Sequence, residues 1–349
     1  MNTEKKPRAL IAMSGGVDSS VAVLLAKQLG YDCVGATMSL MNTAEGDNGG
    51  ETARNSARIA EALGIPHQTL DFCDVFNKEV ISPFVESYKK GETPNPCVDC
   101  NIRIKFGFLY EYALSQGFDK LVTGHYAGIV KDAGGELRLS KAGDSKKDQS
   151  YFLYGITPEK LSHILFPLCD LSKKDVRKIA AEANLECANR GESQDICFIP
   201  EGNHMAFIES YTGKASVPGN FVDMSGNILG PHGGISRYTV GQRKGLGIAL
   251  GRPVFVKEIR VETNEIVLAD ENEVFSSRIE IENIVLHTGL PAAAEVMIRY
   301  RAKPVRAEIE KKTEGRLALL FNKPVRAPAK GQSAVLYDGD FVIGGGKIV

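Results

Sequence analysis

The chain has 349 residues, 43% of them hydrophobic, and a formal net charge of −1. That length exceeds what one small core serves, which predicts two or three domains, and the charge excludes a globally basic nucleic-acid binder while allowing a local basic patch. No apolar run reaches the about 18 residues of a membrane span, and residues 1–8 lack a signal-peptide core, so a cytoplasmic protein with no membrane partner is expected.

In chain order, Ala9-Leu10-Ile11-Ala12-Met13 reads as a short buried strand. Residues 17–29 have helical periodicity, and Gly30 follows as a C-cap. Cys33-Val34-Gly35-Ala36-Thr37-Met38 reads as a second strand, residues 51–63 as a helix closed by Gly64, and residues 67–70 as a third strand. Phe106, Leu109, Tyr110, Ala113 and Leu114 share one helical face, and Leu121-Val122-Thr123 forms another short strand ending at Gly124-His125. Such βα repetition implies a parallel sheet covered on both faces by helices.

The pattern changes near residue 205. Pro218-Gly219, Gly230-Pro231 and Gly233-Gly234 punctuate the chain, and short strands are expected at 254–261, 265–268, 316–321, 333–337 and 341–343. With a softer boundary near 271, the expectation is an α/β catalytic domain over 1–205, a small central domain over 206–271 and a C-terminal β-barrel over 272–349. Residues 299–349 carry 11 Lys/Arg against 5 Asp/Glu, a basic bias suited to RNA but also to a solvated face.

Ser14-Gly15-Gly16-Val17-Asp18-Ser19-Ser20 lies between the first strand and the first helix. Two glycines let the backbone turn sharply and approach an anion, and the helix that follows presents free N–H groups and a positive dipole end. The hydroxyls of Ser14, Ser19 and Ser20 can donate to phosphate oxygens. Asp18 would repel a bare phosphate and is expected to face a metal ion or cap the helix. The string is neither a Walker A motif nor a dinucleotide fingerprint. It resembles the pyrophosphate loop of the N-type ATP pyrophosphatases, which adenylate a substrate oxygen and release pyrophosphate.

Seven cysteines are spread over the chain, which does not suggest a disulfide framework. Cys33, Cys73 and Cys169 have apolar or structured surroundings and read as small hydrophobes. Cys97 and Cys100 stand in Thr93-Pro94-Asn95-Pro96-Cys97-Val98-Asp99-Cys100-Asn101, where the prolines argue for extended chain and Asn101 for the cap of a helix starting near Ile102. Cys100 would then sit at a helix N-terminus that favours its thiolate. Cys197 stands in Gly191-Glu192-Ser193-Gln194-Asp195-Ile196-Cys197-Phe198. By spacing alone the Cys97–Cys100 pair suits a metal site or redox chemistry equally.

Together with the loop, these segments resemble the tRNA-specific 2-thiouridylases over essentially the whole chain. The resemblance also covers Thr123-Gly124-His125-Tyr126, Lys147-Asp148-Gln149-Ser150-Tyr151-Phe152-Leu153, Gly241-Gln242-Arg243-Lys244-Gly245-Leu246-Gly247, Arg299-Tyr300-Arg301 and Gly331-Gln332-Ser333. It implies an adenine-nucleotide-hydrolase-like first domain and 2-thiolation of the wobble uridine, position 34, in tRNAs for Lys, Glu and Gln. ATP and Mg²⁺ are the implied cofactors. The implied partners are tRNA and a sulfur-carrier or persulfide-donor protein, and the enzyme is expected to act as a monomer. An amide-forming synthetase or a non-catalytic tRNA binder would not need the cysteine segments and an intact loop together.

By position, Cys100 resembles the nucleophile and Cys197 the carrier of the persulfide sulfur. Ala12, Met13, Ser14, Gly15, Gly16, Val17, Asp18, Ser19, Met38 and Gly124 resemble the ATP contacts. Asn95, Pro96 and Cys97 resemble the part that meets the target base. His125, Lys147, Asp148, Gln149, Arg299, Tyr300 and Gln332 resemble tRNA contacts. Many members have Asp where this chain has Cys97. Cys97, Cys100 and Cys197 are also enough thiolates for a [4Fe–4S] cluster with one open iron, so a cluster route stands beside the persulfide route.

Overall fold

The computed structural model describes residues 6–41, 48–189, 191, 196–199 and 202–349. The first elements are strand β1 (Arg8–Ala12), helix α1 (Val17–Gln28), β2 (Asp32–Ser39), α2 (Asn48–Ala62), β3 (His67–Asp71) and the short α3 (Cys73–Phe76). A π-helical turn (Asn77–Ile81) leads into α4 (Ser82–Lys89). A second helical run joins α5 (Pro96–Asp99), a π-helical stretch (Cys100–Leu109) and α6 (Tyr110–Ser115). There follow β4 (Lys120–Val122), β5 (Gly128–Lys131), β6 (Leu137–Ser140), α7 (Pro158–Leu161), β7 (Ile164–Leu165) and α8 (Lys173–Glu182). The chain then forms α9 (His204–Thr212), β8 (Gly219–Val222), β9 (Ile228–His232), β10 (Phe255–Arg260) and β11 (Glu265–Ala269). It ends with β12 (Phe275–Leu286), β13 (Ala293–Met297), β14 (Val305–Lys311), β15 (Leu317–Arg326), β16 (Ser333–Asp338) and β17 (Phe341–Ile348).

The chain divides into two compact units. The first comprises Met1–Val80, Cys97–Gln194 and Asp340–Val342, and it holds a parallel sheet in the order β3-β2-β1-β4-β7. β1 is central and buried on both faces. Its Ala9 and Ile11 join α1, Ile59 and Leu63 around α2, and Val176 and Ala180 of α8 in one core, while the fully buried Leu10 has the opposite parity. Burying each such large side chain stabilises the fold by about 1.5–3 kcal/mol.

The second unit comprises Ile81–Pro96, Asp195–Gly339 and Ile343–Val349. One sheet runs β10-β11-β8-β9 over a core of Phe221, Tyr238, Val256 and Ile266. The other, β12-β15-β14-β13-β16-β17, is closed by pairing of β12 with β17 into a six-stranded barrel. Its core includes Ile281, Val296, Leu319 and Leu336. The expected fold class, a parallel-sheet α/β domain followed by small β domains ending in a barrel, is therefore observed.

Several local expectations are corrected. The helix expected near Ile102 begins at Pro96, because proline supplies the φ of a first helical turn and lacks only an N–H that the turn leaves unpaired anyway. Asn101 therefore lies inside the helical run and does not cap it; its Nδ2 donates to the Phe152 carbonyl at 3.1 Å. Gly230-Pro231 lies within β9 instead of breaking the chain, since β9 is a sheet edge where a missing donor is tolerated. α4, α8, α9 and β12 to β14 lacked a clear signal in the periodicity.

Candidate active site

In the first sheet the chain leaves β1 toward β2 on one side, while β4 lies on the other, so a crevice opens at the carboxyl ends of β1 and β4. The Ser14–Ser20 string occupies the turn after β1. Its entrance is tied to β2, because the Met13 N–H donates to the Ala36 carbonyl at 2.8 Å and Thr37 Oγ1 donates to the Met13 carbonyl at 3.0 Å. Gly15 has φ +69°, a left-handed conformation that any Cβ would strain. Gly16 stands at the N-cap of α1 without a side-chain cap, so the first-turn amides face the loop.

The hydroxyls divide their tasks. Ser19 Oγ accepts from the Ser14 N–H at 3.3 Å and donates to the Gly16 carbonyl at 3.1 Å. Ser20 is fully buried, and its hydroxyl is committed to the Gly16 carbonyl at 2.9 Å. Ser14 is exposed.

Asp18 does not cap α1, since Gly16 holds that position. Both its carboxylate oxygens accept from Lys173 Nζ at 2.7 Å, and Oδ1 also accepts from the Tyr126 hydroxyl at 2.7 Å. Lys173 is the first residue of α8, set there by a reciprocal capping box between Ser172 and Asp175. Sequence reasoning missed this lysine. The Ser172-x-x-Asp175 pattern is the signal that marks the helix start.

The crevice's other wall is the turn after β4. A Cβ on Gly124 would stand 2.7 Å from both the Asp18 carbonyl carbon and the Ser19 nitrogen, so this backbone meets the first turn of α1 more closely than any side chain permits. His125 is half-buried between the rings of Phe106 and Phe166, with centroids at 5.8 and 6.0 Å. Its Nδ1 lies 2.7 Å from Thr123 Oγ1 and its Nε2 lies 3.4 Å from Lys105 Nζ. Burial, with Lys105 adding to it, holds its pKa well below the usual histidine range, so the ring is neutral near pH 7.

Asp148 and Gln149 support this wall from within, and the Lys147 N–H just before them donates to the Asp144 carbonyl. Asp148 accepts from the N–H groups of Ala142 and Ser150 and from the Ser150 hydroxyl. Gln149 exchanges two hydrogen bonds with the Tyr126 backbone, at 2.9 and 2.8 Å, and Tyr126 in turn reaches Asp18. Met38 lies near the end of β2, half-buried and in register with Leu70.

Cys97 is exposed in the first turn of α5, and Cys100, buried, opens the π-helical stretch. Helix-terminus geometry therefore applies to Cys97 and not, as expected, to Cys100. The surrounding protein raises the Cys97 thiol pKa, and Lys105 opposes that rise. Cys33 and Cys169 are pushed up to about 11, chiefly by burial, which fits inert thiols. Cys97 and Cys100 are two of the three thiolates expected of a cluster with one open iron, and the third, Cys197, belongs to the second unit. Among the described residues, no three His, Cys, Asp or Glu side chains stand together as a metal site.

In the second unit Cys197 is exposed beside the buried Phe198, whose ring meets Phe84 at 5.3 Å and Phe207 at 5.2 Å. Glu192 to Asp195 of the same motif lie outside the described residues. Gln332 Nε2 donates to the Thr93 carbonyl at 2.8 Å, and the Thr93 N–H donates to the Lys330 carbonyl, which together secure the chain just before Asn95 and Pro96. Arg299 Nη2 donates to the carbonyls of Val240 and Ala327 at 2.8 and 2.6 Å, and the Arg301 guanidinium lies over the Tyr300 ring.

Residues 7–201 match the family described as a tRNA methyl transferase HUP domain, residues 205–270 a tRNA methyl transferase PRC-barrel domain, and residues 276–348 an aminomethyltransferase beta-barrel domain. The chain is 43% identical to the tRNA-specific 2-thiouridylase MnmA of Lachnoclostridium phytofermentans, across 98% of this chain and 99% of that one. It is 42% identical to the protein of the same name from Carboxydothermus hydrogenoformans, across 100% of this chain and 99% of that one. Among solved structures, a 4-thiouridine synthetase–RNA complex with bound ATP is 16% identical at a TM-score of 0.38, covering 58% of this chain and 50% of that one.

Proposed function

This chain belongs to the tRNA-specific 2-thiouridylase family, and from that premise we propose that it thiolates C2 of the wobble uridine, position 34, in tRNAs for Lys, Glu and Gln. It is a tRNA sulfurtransferase that uses ATP. The observation that carries the reading is the crevice at β1 and β4, where Gly124 packs on the first turn of α1 beside an uncapped, glycine-turned loop. Open amides at a helix N-terminus, walled by a backbone that admits no side chain, suit a polyphosphate.

ATP phosphates would rest on Ser14, Gly15, Gly16, Val17, Asp18 and Ser19. Mg²⁺ accompanying the nucleotide would neutralise phosphate charge, with Asp18 the acidic group on the loop. The uridine is flipped out of its stack, because its C2 oxygen is otherwise hard to reach. That oxygen attacks the α-phosphorus, pyrophosphate leaves, and the adenylate makes C2 open to displacement. A persulfide on Cys197 then delivers sulfur to C2 and AMP departs. The Cys100 thiolate attacks the Cys197 sulfur, the bond to the transferred sulfur breaks with that sulfur left on C2, and the Cys100–Cys197 disulfide that forms is reduced by an external thiol. The persulfide is loaded by a sulfur-donor protein. The basic bias of residues 299–349 suits the tRNA backbone.

The test is thiolation in vitro with ATP, Mg²⁺, unmodified tRNA and a persulfide donor, scored as 2-thiouridine in the nucleoside digest. ATP-dependent 2-thiouridine at position 34 is expected; a digest without it overturns the reading.

A further inference from the structure

The loop after β1 contains no lysine, and the lysine that touches it, Lys173, is paired with Asp18. A second cation adjoins the Gly124–His125 turn that walls this crevice. Lys105 is half-buried in the π-helical stretch, five residues and thus one i→i+5 turn beyond Cys100. Its Nζ lies 3.4 Å from His125 Nε2, and no carboxylate among the described residues forms an ion pair with it.

His125 cannot offset that charge, because its ring is neutral. An ammonium has no acceptor, so Nε2 must accept from Lys105, and Nδ1–H then donates to Thr123 Oγ1. The imidazole orients the lysine without neutralising it. His125 directly follows Gly124, the residue packed on Asp18 and Ser19 at the start of α1. The same lysine acts electrostatically on Cys97. A half-buried cation without a paired carboxylate is costly, and an anion beside it relieves that cost.

We propose that Lys105, joined to the phosphate loop through His125 and Gly124 and to Cys100 through its own helical run, is the cation that meets the α-phosphoryl group while the uridine oxygen attacks it. This rests on the reading of the reaction given above. In that step the bond from the uridine C2 oxygen to the α-phosphorus forms. The bond from the α-phosphorus to its bridging oxygen breaks, pyrophosphate leaves with the electron pair, and the uridine N3 proton passes to solvent. The Lys105 ammonium stabilises the negative charge that gathers on the non-bridging oxygens. His125 and Thr123 are its positioning residues.

The experiment measures tRNA-dependent pyrophosphate release and 2-thiouridine formation by the full chain, for wild type, Lys105→Met and Lys105→Arg, together with thermal melting. Lys105→Met is expected to lower kcat for pyrophosphate release by about 10²–10³-fold while the KM for ATP stays within about threefold. Lys105→Arg is expected to retain at least about a tenth of wild-type kcat, since the charge persists. A loss below about tenfold in Lys105→Met overturns the proposal. So does an equal loss in both variants accompanied by lowered melting, which would mark a structural role. Pyrophosphate release without 2-thiouridine in the wild type would instead overturn the thiolation reading and leave Lys105 to be judged on adenylation alone. Absence of both products overturns both.

Discussion

Lys173 Nζ lies 2.7 Å from each carboxylate oxygen of Asp18, joining the first turn of α8 to the first turn of α1 across 155 residues of chain. On the proposed reading, the pair explains how an acidic residue can sit on a loop that takes phosphates: its charge is balanced by Lys173. The lysine side chain is 13% exposed and the aspartate 34%, so the pair is partly desolvated and stronger than a surface ion pair. Lys173→Met should leave the Asp18 carboxylate facing the phosphates. ATP affinity should fall at least tenfold, about 1.4 kcal/mol, by titration calorimetry. An unchanged Kd would remove Lys173 from the site.

Gly124→Ala tests the close approach of the two turns. The added methyl would stand 2.7 Å from backbone atoms of Asp18 and Ser19, which cannot yield as a flexible side chain would. The first turn of α1 must move, and the KM for ATP should rise more than tenfold while circular dichroism shows an intact fold. The same substitution at Gly134, which meets only the Asp132 side chain at 3.3 Å, should leave KM unchanged.

On the proposed scheme the cysteines serve sulfur transfer and not adenylation. Cys100→Ser and Cys197→Ser should each abolish 2-thiouridine but preserve ATP binding and tRNA-dependent pyrophosphate release. A protein purified without oxygen should be colourless, iron-free and active with a persulfide donor. Iron in proportion to activity would return the cluster route.

Acid should destabilise the fold in a defined window. Burial holds His67, His125, His204 and His232 below the usual histidine pKa, and Lys105 pushes His125 further down. The unfolded chain therefore binds protons first, near pH 6.5. Stability from these groups is present above that pH and is lost as pH falls toward the folded values. Urea unfolding at pH 7.5 and 5.5 should show lower stability at 5.5, with a smaller drop in His125→Gln. An equal drop in both proteins would show that His125 is not held neutral by its packing against Phe106, Phe166, Thr123 and Lys105.

Much of the first unit was legible because its signals are local. Ala9 to Met13 is too short and apolar for anything but a buried strand, and a double glycine before a helical period marks a turn that opens a helix. The Cys97–Cys100 segment misled because a proline reads equally as a breaker or as a first helical residue. Which applies depends on whether the following residues find a core, and Val98, Ile104 and Phe106 do. α8 was missed although its capping box was in view, because Lys173 to Glu182 offers only Val176 and Ala180 as fully buried positions.

By itself the sequence determined the strand–helix alternation from β1 to β3, the glycine-turned loop and the residues that ally this chain with a thiolating family, since each depends on neighbours within a few positions. Only the tertiary structure decided that Lys173 balances Asp18, that Gly124 closes on α1, that Gln149 supports Tyr126, and that Lys105 faces a neutral histidine. Those relations join residues 20 to 155 positions apart. They are set by sheet order and side-chain burial, which no local periodicity encodes.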